Sequence, residues 1–136
     1  MKFIKNLPTT LMLLLAFVPL IMAGGVFFPY ISGKVFFIRA IMTLVVLFST
    51  YLFLFYEDFR ASFIEKFNFI KKDSVFISLS VYFLFFTISI IFAFDRTRAF
   101  WGEVERGEGF LGFFFLFLFF LFSSVLFDKK NWITFF

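Results

Sequence analysis

Two residue types with much of the usual chemical repertoire are missing: the 136 residues include no cysteine and no histidine. Without cysteine, neither a disulfide framework nor a thiolate metal site is available. Without histidine, the commonest general base and the commonest metal ligand both disappear. Charge is scarce as well, at 16% of residues. The carboxylates show no clustered spacing for a metal, no nucleophile has a visible base, and no element holds two carboxylates across a glycosidic bond. No basic stripe interleaved with aromatics tracks a nucleic acid. The sequence therefore assigns no catalytic residue, no metal ligand, no cofactor and no nucleic-acid partner.

What is present is apolar. Hydrophobic residues make up 62% of the chain, well above the roughly 45–50% of a soluble domain. Runs of about 20 apolar residues match a hydrocarbon core of about 30 Å. Four such runs stand out: Thr9–Phe28, Val35–Tyr56, Val75–Phe94 and Phe110–Phe127. The predicted fold class is an all-α membrane protein, a single domain over residues 1–136 with four transmembrane helices. Phenylalanine supplies 31 residues. It reads as a substitute for leucine in lipid-facing helices, since the two insert almost equally well; an aromatic-lined path for a lipid or sugar is the functional alternative.

Local signals refine this picture. The basic start and Ala23-Gly24-Gly25 imitate a secretory signal, but the apolar run continues through Val26, Phe27 and Phe28 to full spanning length. Pro19 should kink the first helix by removing a backbone bond. Gly24 and Gly25 would let another helix approach closely. Between the second and third runs, Phe59, Phe63, Ile64, Phe67 and Ile70 recur at helical spacing with charges between them. That pattern predicts an amphipathic interfacial segment over 59–72; an ordinary basic loop is the plain alternative. With both termini cytoplasmic, Lys2, Lys5, Arg60, Lys66, Lys71, Lys72, Lys129 and Lys130 fall inside, and Lys34, Arg39, Arg96, Arg98 and Arg106 outside. The excess of basic residues inside favours this orientation and a multi-pass protein of the bacterial cytoplasmic membrane, with membrane lipids as partners.

The stretch most able to carry specific chemistry is Asp95–Leu111, which concentrates charge, Trp101 and three of the seven glycines between two apolar runs. Arginine offers a fixed fork of donors that matches phosphate geometry. Arg96, Arg98 and Arg106 are candidates to hold a diphosphate. Trp101 is a candidate to stack on a sugar or isoprenoid, and Glu105 and Glu108 to orient the arginines. Lys34 and Arg39 are further cationic candidates, Arg39 also reading as an anchor that snorkels to the head groups. A solvated loop with aromatic anchors and weak surface ion pairs is the competing reading.

At these residues a resemblance emerges. Ala99-Phe100-Trp101-Gly102-Glu103-Val104-Glu105-Arg106-Gly107-Glu108-Gly109 resembles the S-F-W-x-x-x-E-R-x-E-G segment of bacterial O-antigen ligase-like membrane proteins, relatives of O-antigen polymerases. Pro29-Tyr30-Ile31-Ser32-Gly33-Lys34-Val35-Phe36-Phe37-Ile38-Arg39 resembles that family's G-K-x-F-x-x-R segment after the first helix. Asp128-Lys129-Lys130-Asn131-Trp132 is similar to the basic, tryptophan-bearing linker before its fifth helix. The resemblance implies work on undecaprenyl-diphosphate-linked glycans at the outer face of the cytoplasmic membrane, without a metal. It also implies that the family's catalytic residues lie in a later half. The expectation for this chain is thus a non-catalytic N-terminal portion that works with further C-terminal helices or other membrane subunits. A stand-alone four-helix membrane protein, either a transporter or an assembly subunit, is the alternative. The lack of any Asp or Glu inside the four runs counts against a proton-coupled exporter.

Overall fold

The computed structural model describes residues 2–21, 32–102 and 109–127, with side chains from residues 6–21, 33–102 and 109–127. Every regular element among the described residues is helical. Helix α1 covers Lys2–Leu13 and continues into a 3-10 segment, Leu14–Leu20. Helix α2 covers Ser32–Phe55, α3 Glu57–Ile70, α4 Ser74–Ile91, α5 Arg96–Trp101 and α6 Phe110–Leu126. Two stretches, Gly33–Phe55 and Ser74–Ile91, are long and apolar enough to cross a membrane. Asn6–Leu20 and Phe110–Leu126 are shorter apolar helices.

The helix boundaries have local causes. Tyr56 adopts an extended conformation that separates α2 from α3. Glu57 and Asp58 then sit in the first turn of α3, where negative charge suits the helix dipole. Asp73 caps α4, its Oδ1 accepting the Val75 backbone N–H at 3.1 Å. Asp95 caps α5 in the same way, accepting the Arg98 backbone N–H at 3.0 Å; such caps satisfy donors that the first turn leaves orphaned. The first helix departs from its expected bounds, beginning at Lys2 rather than Thr9. Its second half tightens to 3-10 around Pro19, which offers no N–H for an α-type bond. Residues 22–28 of the predicted first span, the Ala23-Gly24-Gly25 stretch and the tail 128–136 lie outside the described residues.

The core gathers Met12 of α1, Leu15 of the 3-10 segment, the α2 residues Ile41, Met42 and Val45, Phe122 of α6, and Phe127. Beside it runs a second kind of packing. Phe76 of α4 stacks on Phe120 of α6 at 6.4 Å, Phe83 on Phe117 at 4.7 Å, and Phe86 meets Phe113 edge-on at 4.9 Å. Residue numbers rise along α4 as they fall along α6, so the two helices form an antiparallel hairpin. Offset and edge-to-face rings of this kind contribute about 0.5–1.5 kcal/mol per pair beyond area burial. Many phenylalanines are therefore interhelical contacts and not merely substitutes for lipid-facing leucine. The outer side of α4 is unpacked: Val75, Val81, Tyr82, Leu84, Phe85 and Ile91 are all exposed.

Helix α3 closes one end of the hairpin. Phe63 lies 5.8 Å from Phe53, near the end of α2, and 6.3 Å from Phe122, near the end of α6. Phe67 meets Phe76 at the start of α4. Helix α5 sits at the other end, its Phe100 ring 5.8 Å from Phe110 at the start of α6. At 1.5 Å per residue, α4 separates the two short helices by about 27 Å. Because α2 also ends at α3, its N-terminal turns lie on the side away from α3.

Candidate functional site at the α4–α6 corner

The site is built on a corner that the local sequence makes sharp. Helix α4 stops at Ile91, Phe92–Phe94 turn the chain, and the Asp95 cap starts a new helix at once. Phe100 anchors that helix on Phe110 and meets Trp101 edge-on at 5.4 Å. The rest of the corner faces outward: Trp101 is 59% exposed, and Phe92 and Phe94 more so. Arg96, Thr97 and Arg98 are exposed too. The result is a patch of aromatic rings with two guanidinium groups, held by α5 against α4 and α6.

The arrangement does not bring all the expected cations together. Arg96 and Arg98 are two residues apart on a helix, so they point about 200° away from each other. Arg98 and Trp101, three apart, share a face, as do Arg96 and Phe100, four apart. Each arginine thus shares a helix face with an aromatic residue and not with the other arginine. Lys34 and Arg39 are half-buried on the first turns of α2, and the Arg39 Nε is shielded from solvent. Helix α2 packs chiefly on α1, the 3-10 segment, α3 and α6, while α5 packs on α6 and α4. The two basic sets therefore come from different faces of the bundle with α6 as common neighbour. Glu105, Arg106 and Glu108 lie outside the described residues.

The glycines of this corner, in contrast, have a clear structural role. Gly102 ends α5 with φ 79° and ψ −177°, a region essentially reserved for glycine. Gly109 is buried at the start of α6, and a Cβ there would run into the Gly102 nitrogen, the Trp101 carbonyl carbon and the Phe100 oxygen. The two glycines thus form the neck of the segment between them. The sequence shows the concentration of glycines between the two apolar runs but not this contact. The Asp95 cap was missed as well, although an Asp three residues before the Arg98 amide is a readable signal.

Among the described residues no group of three or more His, Cys, Asp or Glu side chains is placed to hold a metal ion. Phosphate recognition by guanidinium forks and ring stacking on Trp101 are the chemistry this corner can offer. Scans of protein-family models, curated proteins and solved structures each found no match to this chain.

Proposed function

We propose that the chain is the N-terminal, non-catalytic part of an O-antigen ligase-like glycan transferase, one acting on undecaprenyl-diphosphate-linked glycans at the outer face of the bacterial cytoplasmic membrane. In this reading the chain crosses the membrane four times, through the first helix with the residues that follow it, α2, α4 and α6, and both termini are cytoplasmic. Its glycan-carrier site comprises Arg96, Arg98, Trp101, Glu105, Arg106 and Glu108, with Lys34 and Arg39 on the same side of the membrane.

The observation that carries the reading is the position of the Ala99–Gly109 motif. Its Trp101 shares an exposed face with the preceding Arg98 at the corner of two apolar helices. A polyprenyl diphosphate has a lipid tail and a charged head, so it needs apolar helix surface ending in guanidinium groups at the lipid–water boundary. The corner has that composition. The other end of the hairpin carries Arg60, Lys66, Lys71 and Lys72 on or beside α3, the bias expected of a cytoplasmic face.

The test is titration of the detergent-solubilised protein with a short-chain polyprenyl diphosphate. Arg106→Ala and Arg106→Lys should weaken binding to a similar degree, because lysine keeps the charge but loses the fork. Arg98→Ala should weaken it as well. Equal affinity of wild type and all three variants overturns the reading.

A further inference from the structure

The outer side of α4 carries one feature that the glycan-carrier reading leaves unused. Near the α3 end, Ser74, Val75, Ser78, Leu79 and Tyr82 line a shallow, open patch on the helix surface. Ser74, Ser78 and Tyr82 recur every four residues, so they lie on one face of the helix. Helical side chains lean toward the N-terminus. The Tyr82 side chain therefore leans toward Ser78, one turn nearer the start of α4. Four other hydroxyls in these helices turn back onto their own backbone. Thr43, Thr87, Ser123 and Ser124 each donate to a carbonyl of their own helix at 2.7–2.9 Å.

Charge lies next to the patch. Lys71 and Lys72 are exposed in the turn immediately before α4, three and two residues from Ser74 respectively. The acid beside them, Asp73, already accepts the Val75 amide at the head of the helix. Glu65 is exposed one helical turn or more away on α3, and Lys66 is half-buried beside it. Below the hydroxyls, Val75 and Leu79 give the patch an apolar floor that continues into the exposed side of α4.

We propose that this patch is a binding site for one anionic phospholipid, at the end of the bundle opposite the glycan-carrier corner. Lys71 and Lys72 hold the phosphate. Ser74, Ser78 and Tyr82 donate to the glycerol and ester oxygens, and one acyl chain lies along Val75 and Leu79. The two lysines stand ahead of the helix, and hydroxyl and aliphatic side chains interleave along its following turns, so a phosphate at the lysines leaves the rest of the lipid beside the patch. Juxtamembrane lysines near an anionic leaflet give the attraction its sign. The inference rests on α4 spanning the membrane.

The experiment is native mass spectrometry of the detergent-purified protein with phosphatidylglycerol or phosphatidylcholine added at equal concentration. One phosphatidylglycerol should be retained at activation energies that strip phosphatidylcholine. The double change Lys71→Ala with Lys72→Ala should weaken that retention roughly tenfold or more, and Lys71→Arg with Lys72→Arg should restore it. Ser78→Phe fills the patch with an apolar side chain that lipid tolerates and should abolish retention with the lysines intact. Arg60→Ala, on the same side but paired with Glu57 on α3, should stay within twofold of wild type. Equal retention of the two lipids overturns the proposal, as does indifference to the double alanine change. A disulfide formed between Ser78→Cys positions of two copies also overturns it, since the face then belongs to a dimer. Alkaline carbonate extraction separates the two levels of failure: release of the protein from membranes sinks the spanning reading itself, whereas retention leaves only the lipid site in question.

Discussion

Gly109 lies directly against the backbone of Gly102, so the chain that leaves α5 and the chain that enters α6 touch with no side chain between them. The contact explains in physical terms why two glycines stand seven residues apart in this motif. One must take a positive φ, and the other must present no Cβ.

The first prediction follows from that neck. Gly102→Ala should cost about 1–3 kcal/mol, because an L side chain is strained at that backbone conformation. Gly109→Ala should be at least as harmful, since what it meets is backbone and not the movable end of a side chain. Thermal unfolding in detergent measures both. Tolerance of either change within about 0.5 kcal/mol would show that the neck is not formed.

Ser49 supplies an opposite expectation. It is 3% exposed, and its Oγ has no hydrogen-bond partner. An unsatisfied buried hydroxyl costs about 1–3 kcal/mol. Ser49→Ala should therefore leave stability unchanged or raise it by about 1 kcal/mol, whereas Ser123→Ala removes a hydroxyl that already donates to the Phe120 carbonyl at 2.9 Å. A clear loss of thermal stability in Ser49→Ala would mean that this hydroxyl has a partner in the native protein.

Asp95 should matter more than a surface carboxylate normally does. Removing its side chain frees the Arg98 amide and one end of a six-residue helix. Asp95→Ala should cost about 0.5–2 kcal/mol, in the range of lost N-caps, and Asp95→Asn should retain most of the cap. Hydrogen exchange at the Arg98 amide is the most direct readout. Unchanged protection in the alanine variant contradicts the capping role.

Topology can be read from two exposed positions at opposite ends of the hairpin, Ser62 on α3 and Thr97 on α5. With cysteine introduced singly at each, an impermeant thiol reagent added to intact spheroplasts should label position 97 and spare position 62. Because the chain contains no native cysteine, there is no background to correct. Labelling of 62 alone reverses the orientation, and labelling of both rejects a hairpin that crosses the bilayer.

Much of the helical framework was legible because its cause is local. Runs of apolar residues without proline or charge in their middles made α2, α4 and α6 readable, and each begins and ends within three residues of the run seen in the sequence. Helix α1 was less legible. Its polar first turns hide an early start, and the tightening to a 3-10 form depends on how the chain around Pro19 settles. The candidate corner was legible as a composition, arginines and tryptophan between apolar runs, but not as a geometry. Whether Arg96 and Arg98 converge depends on a helix begun by one aspartate, and once that helix forms they diverge.

The sequence alone determined that this chain is helical and apolar and cannot use thiol or imidazole chemistry, because those are matters of residue type and of backbone bonds closed within one segment. Only the tertiary structure decided which phenylalanines face each other. Along the sequence Phe83, Phe85 and Phe86 are alike, yet Phe83 stacks on Phe117, Phe86 meets Phe113, and Phe85 is 65% exposed. The pairing of α4 with α6, the Gly102–Gly109 neck and the unpacked face of α4 likewise depend on contacts between residues far apart in the chain. No local pattern of hydrophobicity records them, since a ring or a glycine has the same transfer energy whichever partner it finds.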